Sequence, residues 1–221
     1  MSTAQRSDDR EAISEMTTGR LSVYLRCLES LDETTISSRE LADRFHLNAA
    51  QIRKDLAHFG EFGIRGVGYN VGRLKEHLIR TLGIDRPRHA VIVGAGNLGM
   101  ALADYKGFNS EGFRVVALID NDARKIGQTS KSDITIEPPD QLREIVRRHH
   151  VEIGIIAVGA AEAQAVCDNL IDAGICAILN FAPVQMRLRD GVKIKSVDLR
   201  INLESLSFFL KSAEDSLCAA G

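Results

Sequence analysis

Apolar and polar positions along the chain change period near Asp85-Arg86-Pro87-Arg88. On the N-terminal side the pattern is helical and polar. On the C-terminal side short apolar runs alternate with helical stretches, and these runs predict strands at 89–94, 114–120, 151–158 and 177–181. A weaker strand falls at Ile134-Thr135-Ile136 and a short one from Val192 to Val197. Helical spacing lies between them at 97–108, 139–149 and 161–173, and a long final helix spans Leu199 to Leu217. Strands that alternate with helices imply an α/β chain built on a doubly wound parallel sheet. The expected divisions are 1–84, 85–198 and a C-terminal helical segment 199–221, with no internal repeat and no low-complexity tract.

Within 1–84, Ser37-Ser38-Arg39-Glu40 reads as a capping box that starts a short helix ending near Phe45. Leu47 sits in the turn, and Asn48-Ala49-Ala50-Gln51 opens a second helix, Ala49 to Phe59, with a second reciprocal cap expected. Two short capped helices joined by a tight turn form a helix-turn-helix pattern. Ile52, Leu56 and Phe59 share one face of the second helix, Gln51, Lys54 and Asp55 lie off it, and Arg53 borders it. Four glycines between Gly60 and Tyr69 then suggest a tight β-ribbon, or wing, before a helix from Val71 to Leu82. The candidate nucleic-acid contacts are Gln51, Arg53 and Lys54 on the second helix, with Arg65, Gly66, Gly68 and Tyr69 on the wing. From Arg39 to Arg80 eight Lys or Arg face five Asp or Glu, a modest excess that a dimer would double. The same features fit a small helical bundle used for protein contacts.

The strongest chemical signal is Val91-Ile-Val-Gly-Ala-Gly-Asn-Leu-Gly99, an apolar strand that runs into three glycines. Gly94 suits the tight turn, Gly96 lets a pyrophosphate approach the main chain, and Gly99 lets the next helix pack closely on the strand. The helix N-terminus offers unpaired N–H groups and a positive dipole end to the phosphates. Asp120 ends the second strand at the distance expected of the carboxylate that bonds the adenosine ribose. A carboxylate there accepts from a free 2′-OH and repels a 2′-phosphate, which favours NAD(H) over NADP(H). Arg124 and Lys125 lie close enough to soften that preference, or simply form a solvated basic edge. The fold class expected is thus α/β, a winged helix-turn-helix domain followed by a Rossmann-like doubly wound sheet and a C-terminal helix.

Composition narrows the partners. The net charge of −2 over 221 residues gives no overall attraction to nucleic acid or anionic membrane, so any basic surface must be local. The first residues are polar with no apolar signal region, and no run is long enough to span a bilayer, so a cytoplasmic protein without membrane contact is expected. Cys27, Cys167, Cys176 and Cys218 lack CxxC spacing and sit mostly in apolar stretches, which favours reduced buried thiols over a metal site.

Together, Gln51-Ile-Arg-Lys-Asp-Leu-Ala-His-Phe-Gly60 through Gly66-Val-Gly-Tyr69, the glycine turn with Ala103-Asp-Tyr-Lys-Gly-Phe108, and Ile178-Leu-Asn-Phe-Ala-Pro183 with Val197-Asp-Leu199 resemble the Rex family of redox-sensing transcriptional repressors. The likeness runs from about Leu21 to Leu210. It implies a homodimer with winged-helix and Rossmann domains, a last helix exchanged between subunits, NADH releasing palindromic double-stranded operator DNA and NAD+ permitting binding. The cofactor contacts expected are Gly94, Ala95, Gly96, Asn97, Leu98 and Gly99 in the turn, and Asp120, Asn121 and Lys125 after the second strand. Val158 and Gly159, and Asn180, Phe181, Ala182 and Pro183, complete the set. The resemblance also places Arg26, Tyr105 and Asp198 in a network coupling cofactor state to domain position; an ordinary interdomain ion pair with a capping Asp198 fits as well. Two departures stand out: Gly159 replaces the family's usual proline, and Ala57-His58 replaces the usual Ser-Tyr.

A redox switch is physically reasonable, because the charged NAD+ ring is penalised by desolvation in an apolar pocket and the NADH ring is not. Two recognition helices read successive major grooves when about 34 Å apart, so a rigid-body change in spacing breaks both contacts. The competing class is a small enzyme. After Asp120 there is barely enough chain to finish the sheet, and no Ser/His/Asp or Cys/His set is evident. Asn180-Phe-Ala-Pro183 is also similar to coenzyme-A-binding domains, a reading that leaves the N-terminal caps and wing unexplained. Leu203, Leu206, Phe209 and Leu210, at helical spacing in the last helix, suit either a core or an interface.

Overall fold

The computed structural model describes residues 15–60, 62–64, 66–110 and 112–219. Arg65, one of the expected wing contacts, lies outside them. The chain divides into two compact units, Met1–Arg86 and Pro87–Gly221.

In the first unit α1 (Glu15–Glu29) precedes β1 (Thr35–Ile36), α2 (Ser38–Phe45) and α3 (Ala49–Phe59). The wing strands β2 (Gly63–Ile64) and β3 (Gly68–Asn70) follow, then α4 (Val71–Leu82). The expected capping box is present: Glu40 N–H donates to the Ser37 hydroxyl at 3.1 Å and Ser37 N–H donates to the Glu40 carboxylate at 2.9 Å. Asn48 caps α3 by accepting from the N–H groups of Ala50 and Gln51. This cap is not reciprocal as expected, because the Gln51 amide turns away to donate to Asp55 at 2.7 Å. The three strands pair antiparallel in the order β1-β3-β2. Gly68 sits at φ +103°, where a Cβ would come within 2.5 Å of the Ile36 carbonyl oxygen, so glycine is what lets β3 lie against β1. One face of each helix meets in a core of Leu21 and Leu28, Leu41, Ile52 and Leu56, and Leu74 and Leu78.

The second unit runs β4 (Arg88–Val93), α5 (Asn97–Ala103), α6 (Lys106–Ser110), β5 (Phe113–Ile119), β6 (Ile136–Glu137) and α7 (Leu142–His149). It continues through β7 (Ile153–Ile156), α8 (Ala160–Asp172), β8 (Ala177–Asn180), β9 (Lys193–Ser196) and α9 (Leu199–Ala219). All six strands are parallel in the order β6-β5-β4-β7-β8-β9. The order reverses direction between β4 and β7, the switch point where doubly wound sheets bind ligands beyond the strands' carboxyl ends. One helix was expected over 97–108; two are found. The break falls at Asp104 and Tyr105, where the Asp104 carboxylate accepts from Ser132 N–H at 2.8 Å and the Tyr105 ring lies over Gly107.

Strand β5 carries a bulge. Ala90 pairs with Val115 but Val91 with Ala117, which leaves Val116 as an extra residue. Val116 and Ala117 therefore pack into one core, with Val91, Leu142 and Ile145, while Val115 and Leu118 join Ala90, Ile92 and Ala103 in the other. Among the described side chains of the last helix there is no such burial: Leu203, Leu206, Phe208, Phe209 and Leu210 are all exposed.

Candidate functional site

The three glycines following β4 have three separate steric causes. Gly94, at φ +106°, would bring a Cβ to 2.5 Å from the Ala157 carbonyl oxygen, and its N–H donates to Ile119 across the sheet at 2.7 Å. A Cβ on Gly99 would lie 1.7 Å from the Gly94 oxygen, so α5 can start this close only with glycine there. A Cβ on Gly96 would meet nothing within 4 Å. Gly96 thus faces open space at the first turn of α5, where the early N–H groups have no helical acceptor, and the main chain is bare where a pyrophosphate would approach.

Asp120 is nearly buried beside this turn. Its Oδ2 accepts from Ala95 N–H at 2.8 Å and from the Lys125 ammonium at 3.0 Å, and its Oδ1 accepts from Asp122 N–H at 2.8 Å. Burial by itself would raise the Asp120 carboxyl, but the Asp122 N–H, the Lys125 ammonium and the Ala95 N–H outweigh it and hold the group below the usual carboxylate range. The anion is therefore fixed in place. Two carboxylate oxygens offer about four acceptor positions, so roughly one remains for a ribose hydroxyl. Arg124 is engaged by Asp122, through Nε at 3.0 Å and Nη2 at 2.8 Å.

A cleft of about 760 Å³ opens here, at the carboxyl ends of β4, β5 and β7. It brings together Gly94, Gly96, Asp120, Asn121, Lys125, Val158 and Gly159 from the expected set. Ala95, Asn97, Leu98 and Gly99 shape the turn without lining the cleft, and Asn180, Phe181, Ala182 and Pro183 also stand outside its lining. Asn180 is fully buried. Its amide donates to the Ala182 and Val184 carbonyls and to Ser196, and its carbonyl accepts from Ala182 N–H, so it builds the Asn-Phe-Ala-Pro turn from inside. The second wall was not expected: Pro139 and Leu142 with Ala161, Glu162, Ala165, Val166 and Asn169 of α8. Its signal was available, since 161, 165 and 169 share a helix face opposite the buried Ala163, Cys167 and Leu170. A second cavity, about 830 Å³, lies at the opposite, amino ends of β4 and β5 and is lined by His89, Lys106 and Arg114 among others. It contains none of the glycine turn, and the carboxyl-end cleft is the one with dinucleotide chemistry.

On the first unit, Arg53 and Lys54 are exposed on α3, with Arg53 Nη1 donating to the Ser38 hydroxyl at 3.0 Å. Gln51 is half-buried and turned to Asp55. Asp55 is buried, contrary to its expected place off the apolar face. Arg20 donates to its two oxygens at 2.6 and 2.8 Å, and the Tyr24 hydroxyl donates to its Oδ2 at 2.8 Å. The Arg20 bonds, with those of Tyr24 and Gln51, overcome burial and pull the Asp55 carboxyl down to about 2. Burial, then the bond to Asp55, pushes the Tyr24 phenol up. Gly66 lies exposed at φ +83° on the wing tip beside exposed Ile64 and Val67. Gly68 is occupied by its contact with β1, and the Tyr69 ring is buried in the core against Gly63, so the ring has a structural role.

The three residues of the expected network sit as follows. Arg26 is exposed on α1. Tyr105 is more than half exposed, its ring edge-to-face with Phe108. Asp198 accepts from Arg200 N–H at 2.9 Å and so caps α9. Cys27 and Cys167 are buried, which pushes their thiols up, whereas Cys176 is exposed; the Cys218 side chain lies outside the described atoms. Among the described residues no group of three His, Cys, Asp or Glu side chains could hold a metal, and no helix is long and apolar enough to cross a membrane.

Residues 12–57 match a family model described as a putative DNA-binding protein N-terminus, and residues 85–184 one described as a CoA binding domain. A protein of Carboxydothermus hydrogenoformans called "Redox-sensing transcriptional repressor Rex" is 50% identical over 202 residues, covering 90% of this chain and 97% of that one. A protein of the same description from Streptomyces coelicolor is 46% identical over 199 residues, covering 89% and 77%. Among solved structures, RSP in complex with β-NAD+ and operator DNA aligns with a TM-score of 0.87 at 36% identity, over 95% of this chain and 97% of that one. RSP with β-NADH aligns at 0.82 and 35% identity, over 92% and 96%. With identity of this degree along nearly the whole length, the chain belongs to the Rex family of redox-sensing transcriptional repressors.

Proposed function

We propose that this protein binds a palindromic operator as a homodimer with NAD+ or no cofactor present, and leaves it when NADH occupies the cleft of the second unit. The observation that carries this reading is the Asp120 carboxylate, held at the mouth of the glycine turn with one acceptor position open. Gly96 and the first turn of α5 receive the pyrophosphate, and Asp120 receives the adenosine ribose. NADH differs from NAD+ in lacking the ring's positive charge, and an apolar nicotinamide pocket favours the neutral form. A hundredfold preference is worth about 2.7 kcal/mol, enough to shift a two-state dimer. Lys54 and Arg53 on α3, with the wing around Arg65 and Gly66, are the proposed DNA contacts, and Arg26, Tyr105 and Asp198 the proposed link between cofactor state and domain position.

Support comes from the relative solved with operator DNA and NAD+ and again with NADH. The proposed divisions are 1–84 for DNA, 85–198 for the dinucleotide and 199–221 for dimerisation. The exposed Leu203, Leu206, Phe209 and Leu210 call for a second copy to cover them, by exchange of α9 between subunits. NADH binding without turnover, in the cytoplasm, is the expected behaviour. The match to a CoA-binding model spans the same sheet and leaves α1 to α4 without a role. A mobility shift on a palindromic duplex tests the proposal: NADH should release the protein and NAD+ should not, and a complex indifferent to both removes it. A chain ending before Leu199 should be monomeric or aggregated in light scattering and should fail to shift DNA.

A further inference from the structure

We infer that Glu162 selects adenine as the base of the dinucleotide, by accepting a hydrogen bond from the base's exocyclic amino group; this rests on the cleft being the dinucleotide site. The cleft has two kinds of wall. Around the glycine turn it is polar, and opposite it Pro139, Leu142, Val158, Ala161, Ala165 and Val166 make an apolar wall suited to the face of a flat ring. A ribose held at Asp120 leaves its base with this wall as neighbour.

Among the described residues three carboxylates line the cleft, and they differ in what they have left to offer. Asp120 accepts three hydrogen bonds and Asp122 is engaged by Arg124. Glu162, exposed in the first turn of α8, takes a side-chain bond from none of the described residues, and Gly159 makes no side-chain cap to draw it back. Gly159 has φ −65° and ψ 162°, a conformation open to any residue, so the backbone does not require glycine. What a Cβ there would meet is Glu162 Oε2, at 2.9 Å. The missing side chain at 159 leaves the room that the carboxylate fills. A carboxylate that none of the described residues occupies, beside an apolar slot, fits a ring with a donor at its edge. Adenine presents an amino group there, whereas hypoxanthine presents a carbonyl oxygen that faces the carboxylate with no proton between them.

Calorimetric titration of the full chain with NADH and with reduced nicotinamide hypoxanthine dinucleotide tests the assignment. The wild type should bind NADH about tenfold or more tightly than the hypoxanthine analogue, the size expected of one charge-assisted hydrogen bond. Glu162→Ala should weaken NADH and leave the analogue unchanged or tighter, erasing the preference. Glu162→Gln, which keeps an acceptor and adds a donor, should shrink it by admitting the analogue. Gly159→Ala fits the backbone but displaces the carboxylate, and should lower the preference without touching Glu162 itself. Equal affinities in the wild type, or a preference that survives in Glu162→Ala, overturn the assignment while NADH binding upholds the cleft. Absence of NADH binding overturns both.

Discussion

Each unit holds a buried aspartate, and the two are used differently. Asp55 receives four hydrogen bonds, two from Arg20 and one each from Tyr24 and Gln51, all from side chains of its own unit. Its acceptor positions are filled. Asp120 receives three, two of them from backbone N–H groups, and it stands at the edge of a cleft. A carboxylate saturated by side chains serves to hold α3 against α1, whereas one oriented by backbone donors and left one position short can serve a ligand. A lowered pKa alone would not separate them, since both carboxyls lie below the usual range.

The contrast can be broken most forcefully at Asp55. Asp55→Ala leaves the Arg20 guanidinium and the Tyr24 hydroxyl without their acceptor and should cost about 2–3 kcal/mol in urea unfolding, the lower end for a buried pair because Arg20 is a third exposed. Operator binding should fall with it while calorimetric NADH binding stays intact; loss of NADH binding would show that the two units do not separate these roles. The pH dependence follows the same group. A carboxyl folded at about 2 against about 3.9 unfolded contributes stability above pH 4 that is lost as pH falls towards 2, and Asp55→Asn should flatten that part of the unfolding profile.

At Asp120 the expected loss is of ligand rather than fold. Asp120→Ala should weaken NADH by about tenfold or more and narrow the gap between NADH and NADPH. Equal or tighter NADPH binding by the wild type would undo the ribose assignment. Lys54→Ala sharpens the other side of the comparison. As a phosphate contact it should weaken operator and random duplex alike and reduce the salt slope by about 1 per subunit, with unfolding unchanged. The smallest effect is expected of Lys125→Ala, which removes one of three donors from Asp120; a few-fold change in NADH affinity in the same titration would place it as support for the carboxylate.

Much of this was legible in advance, for reasons that individual residues make plain. Gly94, Gly96 and Gly99 announce the turn because each answers a local steric demand within a few residues of itself. Ser37 and Glu40 close their box within a single turn of helix. Asp55 was misplaced because its face of α3 is buried by Arg20 and Tyr24, more than thirty residues away, and spacing along one helix cannot register such partners. Tyr69 was taken for a nucleic-acid contact by its place on the wing, but the strand pairing turns its ring inward. The α8 wall of the cleft escaped notice because the shared face of Ala161, Ala165 and Asn169 shows in the sequence only as helical spacing, and it becomes a wall once the sheet sets it across from the glycine turn.

By itself, then, the chain's order of residues determined the kinds of element, their sequence along the chain and the glycine turn, because periodicity, capping and backbone freedom act over one to four residues. The tertiary structure alone decided which polar groups are satisfied and which remain open. It gave Asp55 its four donors, left Asp120 one short and Glu162 without any among the described residues, and through the extra Val116 set the faces to which Ala117, Leu118 and Ile119 turn. Hydrogen-bond partners and strand register are long-range choices, made only when distant segments are packed side by side.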